Sequence, residues 1–299
     1  MLRSRLLAVS GAALLLASLA ACGGTTSSGS TSSAPAPSKA ASASASPSTN
    51  ACAKESLPLA TAGKLTIGTD DPAYEPWFKD GKPANGQGYE SAVAFAVAKQ
   101  MGFSATDVQW VVVPFTNAIT PGKKTFDFDI NQVSISEERR KAVDFSSGYY
   151  DVAQAVITYK GSPIDGKTSV ADLAGAKLGA QVGTTSYKAI TDQIKPTKAP
   201  AVYDTNDLAV QALKNKQIDG IVADVPTAFY MTAAQLDNGV IVGQLPAAGG
   251  AQEQFGLVLA KGSGLTACVS KAVDALRADG TLAKLATQWL TNAGAPALK

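Results

Sequence analysis

The residues best equipped for chemistry gather in one stretch, 126–150, which reads FDFDINQVSISEERRKAVDFSSGYY. Its opening, 126–135, is rich in strand formers and carries Asn131, Gln132 and Ser134 towards its end, so a buried strand is expected to deliver small polar groups there. Ser136 suits the N-cap of a helix, Glu137 and Glu138 fall in the first turn where the helix dipole favours acids, and Arg139 and Arg140 follow. A strand end, a helix N-terminus and a guanidinium at one point suit a carboxylate, because backbone N–H groups and a planar fork of donors can bind its oxygens together. The plainer reading of Arg139 is one half of a surface ion pair with Glu137 or Glu138. Histidine is absent, which removes Ser-His-Asp triads and the HExxH zinc motif. Asp127 and Asp129 resemble a metal-holding pair but are read as structural, with Phe126, Phe128 and Ile130 sharing the opposite face and Asp129 closing the strand entry. Gly86-Gln87-Gly88 lacks the third glycine of a dinucleotide loop, and Gly183-Thr184-Thr185-Ser186 lacks the lysine of a phosphate loop.

These groups need strands that end at a common edge. Residues 64–68 form a β-rich run, the helical segment after Gln87 puts Val93, Val97 and Met101 on one face, and 111–113 is a second strand. After Tyr150 another strand is expected over 153–159. The pattern then restarts, with a strand at 177–180, a turn at Gly183, a helix from Thr184, a helix over 207–216 and an apolar strand over 218–224 ending in Asp224. A strand over 255–260 precedes helices carrying Val269, Val273 and Leu276 and, beyond Gly280, Leu282, Leu285 and Trp289. Two successive βα series predict two α/β lobes with mostly parallel sheets, whose ligands bind outside the carboxyl ends of the strands. A chain of 299 residues, 45% of them hydrophobic, can bury cores of that size.

The hydroxyl residue ahead of Arg139, the short basic helix and the phrase VDFSSGYY together resemble the extracytoplasmic solute-binding proteins of polar amino-acid ABC transporters. KLTIGTDDPAYEPWF is similar to that family's first strand and aromatic-bearing loop, GQGYESAVAFAVAKQMGF to its first helix and LGAQVGTTSY to the opening of its second lobe. IDGIVADVPTAFY resembles the strand that carries an acidic residue, and AQEQFGLVLAKGS the return crossing. The resemblance implies a two-lobed, type II periplasmic-binding-protein-like fold with lobe 1 over 52–151 and 255–299, lobe 2 over 152–254, and a hinge of two chain crossings near 151–154 and 252–254. It implies a receptor that captures a free amino acid between its lobes and delivers it to a permease, with no cofactor and no catalysis.

An amino acid is a zwitterion, so such a receptor needs a cation and N–H donors at the carboxylate and an anion at the ammonium. Arg139 and the helix entry at Thr184 and Thr185 supply the first, and Asp224 the second. By resemblance Arg139 matches the carboxylate-binding arginine, Ser134 the small hydroxyl residue near it, Asp224 the ammonium-binding acid, and Tyr74 and Phe115 the aromatic walls. Asp70 sits where side-chain specificity is partly set. Asp70 and Asp71, with Gln132 and Gln181 as amide partners, favour a polar side chain, amide or cationic. Two positions depart from the family pattern: Ala92 stands where an acid is usual two residues after Glu90, and Gln132 where a small residue is common. Two other readings stay open, a cleft enzyme of the cyclohexadienyl dehydratase kind, which would need an acid or base such as Asp70, and a ligand-sensing module.

Residues 1–21 read as a bacterial lipoprotein signal, with Arg3 and Arg5, an apolar run, and Leu19-Ala20-Ala21 before Cys22, the expected site of lipidation. A transmembrane anchor is the competing reading of the same run. Cleavage there removes two of the 26 basic residues and balances the 24 acids, which argues against nucleic acid as a partner. Lipid on Cys22 would place the protein on the extracytoplasmic face of the cell membrane. Residues 22–51, almost all Gly, Ala, Ser, Thr and Pro, form a disordered linker. In an oxidising exterior the remaining cysteines, Cys52 and Cys268, read as a disulfide, or as two unrelated buried thiols; without histidine they make a poor metal site.

Overall fold

The computed structural model describes residues 51–250, 252–290 and 294–299. The expected leader, the Cys22 lipidation site and nearly all of the expected linker lie outside the described residues. The strands, in chain order, are β1 (Leu65–Thr69), β2 (Val108–Val112), β3 (Phe128–Asp129), β4 (Val143–Val152), β5 (Gln154–Tyr159), β6 (Leu178–Gln181), β7 (Ala201–Tyr203), β8 (Gly220–Asp224), β9 (Gly239–Gln244) and β10 (Glu253–Ala260). They form two five-stranded sheets, ordered β2-β1-β3-β10-β4 and β7-β6-β8-β5-β9. Interleaved with them are α1 (Tyr89–Gln100), α2 (Phe115–Ile119), α3 (Glu137–Arg140), α4 (Thr185–Ala189), α5 (Asn206–Lys214), α6 (Val225–Tyr230), α7 (Thr266–Ala278) and α8 (Thr281–Trp289).

Each sheet is covered by helices, which is why its strands read as near-continuous apolar runs. In the first lobe Leu65 and Ile67 of β1 share a core with Val93 and Val97 of α1 and Val269 and Val273 of α7. In the second lobe alternate residues of β5 face two separate cores, Val156 meeting Leu178 and Ile190, and Ala155 and Ile157 meeting Val210 and Leu213. The Cys52–Cys268 disulfide pins the segment before β1 onto α7 across 216 residues of sequence.

Five expectations need correction. The sheets are mixed rather than mostly parallel: β10 runs antiparallel to β3 and β4, and β5 antiparallel to β8 and β9. The reason is connectivity. A chain that leaves one lobe through β4 and returns through β10 must run the two crossings in opposite directions. The expected strand over 126–135 shrinks to two residues because Gln132 takes φ 49, a left-handed conformation that ends the extended run. Phe126 does not share a face with Phe128 and Ile130; it packs with Val113 and Ala118, while the other two enter the main core. Asp127, not Asp129, ties down the strand entry, accepting from Ala60 N and Thr66 N at 2.7 Å each. Asp129 is fully buried with no hydrogen-bond partner on either oxygen among the described residues, and burial pushes its carboxyl well above the usual range. Residues 294–299, expected in lobe 1, pack on lobe 2: Leu298 N donates to Gln244 O at 2.9 Å and Lys299 N to Thr168 O at 3.1 Å.

Candidate functional site

A pocket of about 710 Å³, counted out to its mouth, opens between the sheets, at the C-terminal ends of β1, β6 and β8. Its lining includes nine of the ten expected ligand residues: Asp70, Tyr74, Phe115, Gln132, Arg139, Gln181, Thr184, Thr185 and Asp224. Ser134 is the exception. It is buried behind the wall, where its Oγ lies 3.2 Å from both Thr185 Oγ1 and Glu253 Oε2.

Arg139 reaches the pocket because Ser136 caps α3, accepting from Arg139 N at 3.1 Å, and turns the helix entry inward. Its guanidinium donates through Nη1 to Ser134 O at 2.7 Å and through Nη2 to Gly183 O, on the other lobe, at 2.8 Å. It lies 5.4 Å over the Phe115 ring. Two carbonyls and an aromatic face therefore fix its plane, and N–H groups remain for a further acceptor. The ion pair beside it is Arg140–Glu137 at 3.8 Å, so the surface pairing considered for Arg139 falls to its neighbour.

Asp224 ends β8 and precedes α6 without spending its side chain on the helix cap. Gln154 Nε2 donates to its Oδ1 at 2.8 Å. Burial, with Glu253 as the second cause, pushes its carboxyl up to about 7, while the Gln154 hydrogen bond and the Arg139 charge pull the other way. Asp70 is held as an acceptor, Oδ1 taking Asp71 N at 2.8 Å and Oδ2 taking Phe115 N at 3.1 Å. Thr184 caps α4 through Tyr187 N at 3.1 Å and donates to Gln181 O at 2.7 Å. One polar atom at the wall, Asn131 Nδ2, is buried with no partner among the described residues. Such groups are costly unless something hydrogen-bonds to them.

Other contributors were missed in the sequence. Ser186, Thr205, Asn206 and Thr227 also line the pocket, beside Asn131, which the sequence had already placed among the polar groups ending the 126–135 stretch. Trp77 is fully buried edge-on to Tyr89, Tyr150 and Phe255, and its Nε1 donates across the cleft to Thr227 Oγ1 at 3.1 Å. Gln154 and Glu253 stand at the two crossings, where an uncharged amide and an acid in otherwise apolar strands were the available signal. What the arrangement can do is hold a small molecule with a carboxylate at Arg139 and a cation at Asp224, walled off from water by both lobes.

Known proteins share this layout. An arginine-binding protein of an ABC transporter from Escherichia coli (strain K12) is 30% identical over 241 residues, covering 77% of this chain and 92% of that protein. The L-cystine-binding protein TcyJ of the same strain is 28% identical over 230 residues, covering 76% and 82%. Among solved structures, an ancestral arginine-binding protein bound to glutamine superposes with a TM-score of 0.63 at 30% identity, covering 77% of this chain and 98% of that one. An ancestral amino-acid-binding protein described as a precursor of cyclohexadienyl dehydratase gives 0.62 at 28% identity, covering 77% and 96%. With a family model matching residues 65–292, from β1 to just beyond α8, the chain belongs to the bacterial extracellular solute-binding proteins of family 3.

Proposed function

We propose that this protein captures a free L-amino acid with a polar side chain, amide or cationic, and delivers it to the permease of an ABC transporter, from a lipid anchor at Cys22 on the extracytoplasmic face. The observation that carries the reading is the pairing of Arg139 and Asp224 in one pocket, the two opposite charges a zwitterion demands. Thr185 and the α4 entry lie beside the guanidinium on the lobe opposite α3, so the carboxylate would be gripped from both sides. The two crossings, Val152–Ala153–Gln154 and the start of β10 at Glu253, supply a hinge about which the lobes would open and close. Calorimetry against the twenty common amino acids tests this. At least one should bind, and Arg139→Ala should weaken it by roughly 100-fold or more, about 2.7 kcal/mol, because truncation also strands the ligand's carboxylate. Absence of binding to all twenty, or full affinity in the variant, would end the reading.

One observation favours the enzyme reading as second choice. Asp224, held near neutrality by burial, is suited to give or take a proton. Turnover of a cyclohexadienyl acid that is lost in Asp224→Asn would establish it.

A further inference from the structure

Gln132 occupies the pocket wall with a left-handed backbone, φ 49, and its side chain is not free to rotate. Glu90, in the first turn of α1 and wholly buried, accepts from Gln132 N at 2.7 Å, from Gln132 Nε2, and from Tyr149 Oη. In its ionised form the Glu90 carboxylate only accepts, so it is then served by the nitrogen of the amide and not by its oxygen. With the backbone N–H and the side-chain NH2 of one residue both on the same carboxylate, the amide has a single orientation. Its carbonyl oxygen is left as the side chain's unengaged polar atom.

We propose that Glu90 locks the Gln132 amide so that its oxygen faces the ligand, and that this acceptor selects an amino acid whose side chain ends in hydrogen-bond donors, a cationic one. The inference rests on the amino-acid reading above and narrows it. The charges of the pocket agree. Three carboxyls line it, Asp70, Asp71 and Asp224, against one guanidinium, Arg139. A zwitterionic head group takes up Arg139 and Asp224 and leaves Asp70 and Asp71 for the side chain. Asp70 is already fixed as an acceptor by two backbone N–H groups. Against these acceptors the first-lobe wall offers Asn131 Nδ2 as a buried amide donor, and Gln181 and Asn206 add amides from the other lobe. A side chain that ends in an oxygen would face Gln132 Oε1 oxygen to oxygen, whereas a guanidinium or ammonium would not.

The test compares arginine with citrulline, in which one terminal nitrogen of the side chain is replaced by oxygen, by calorimetry on the full-length protein. Wild type should favour arginine. Glu90→Gln keeps shape and volume but brings a donor, which turns the Gln132 oxygen inward and its NH2 outward; the arginine-to-citrulline ratio should fall about tenfold or more. Gln132→Met removes the amide, so the ratio should fall there too, and adding Glu90→Gln should then change nothing further. A merely structural role for Glu90 would shift the ratio equally in both backgrounds, or not at all, and either result overturns the proposal. So does a wild type that prefers citrulline or glutamine to arginine. Should Glu90→Gln not fold, Gln132→Met alone decides, an unchanged ratio being the refuting result. Loss of every amino acid from the wild type would instead refute the function proposed above.

Discussion

Acidification should release the ligand, with Asp224 setting where this happens. Burial holds its carboxyl at about 7 against an ordinary value of 3.8. Below that point the unliganded site keeps the carboxyl neutral, while a bound ammonium requires it ionised. Binding in that range therefore expels a proton, and affinity is lost as pH falls through the raised value rather than through the ordinary one. With one proton coupled, the dissociation constant climbs tenfold per pH unit, so going from pH ~8 to pH ~5.5 should cost about 30-fold, roughly 2 kcal/mol. Calorimetry in buffers of different ionisation enthalpy measures both the affinity and the proton released. Asp224→Asn should bind weakly at every pH and release none. Glu90 is the internal rival, since burial pushes its carboxyl up to about 7 as well, with Tyr149 and Gln132 opposing. A flat profile in wild type, or the same slope surviving in Asp224→Asn, would refute the assignment, and the second outcome would move the proton to Glu90.

Removing the Cys52–Cys268 link with Cys268→Ser should lower stability by about 4 kcal/mol, since the closed loop is long; an unchanged denaturation midpoint would count against a structural role. Trp77→Phe deletes the hydrogen bond to Thr227 across the cleft and should weaken ligand binding by about 1 kcal/mol, with Thr227→Val adding little in that background. Additive losses would show that the two side chains act separately. Cys22→Ala should move the protein from the membrane fraction to the medium, and membrane retention of a cleaved form would sink the lipid anchor.

The fold was legible where burial leaves a pattern. Strands β1, β5, β6, β8 and β10 lie within a residue or two of the apolar runs that announced them, and α7 and α8 follow Val269, Val273 and Leu276 and then Leu282 and Trp289. The short edge strand β7 went unseen, as did β9 and the ten-residue β4 that carries the first crossing, because VDFSSGYYDV mixes serine and glycine into its run. The direction of pairing could not be read from periodicity, which is alike for parallel and antiparallel neighbours once both faces are covered. Of the site, the charges were legible because Arg139 and Asp224 end or begin elements. Trp77, Thr227, Gln154 and Glu253 were not, since their roles lie in contacts between residues about 100 or more positions apart.

Those distant contacts explain why the ammonium end of the pocket sits where it does. Gln154 opens β5 immediately after the first crossing, and its buried amide reaches Asp224 Oδ1 at 2.8 Å, Thr185 Oγ1 at 3.3 Å and Glu253 Oε2 at 3.3 Å, while its Oε1 accepts from Ser186 Oγ at 2.7 Å. Glu253 opens β10 at the second crossing and lies within reach of Ser134 from the first lobe. Both crossings thus place a side chain against the acid proposed to hold the ligand's ammonium. In a hinged closure, displacement grows with distance from the axis, so groups beside the crossings move least and those at the mouth move most. Asp224, Gln154 and Glu253 would keep nearly the same arrangement open or closed, offering the invariant head group of an amino acid a site formed in advance. Asp70 and Tyr74 line the pocket from the first lobe and Thr205 and Asn206 from the second, so the two sets would enclose the ligand's side chain only as the lobes come together. Any amino acid could then be engaged at its head group, and closure would supply the discrimination.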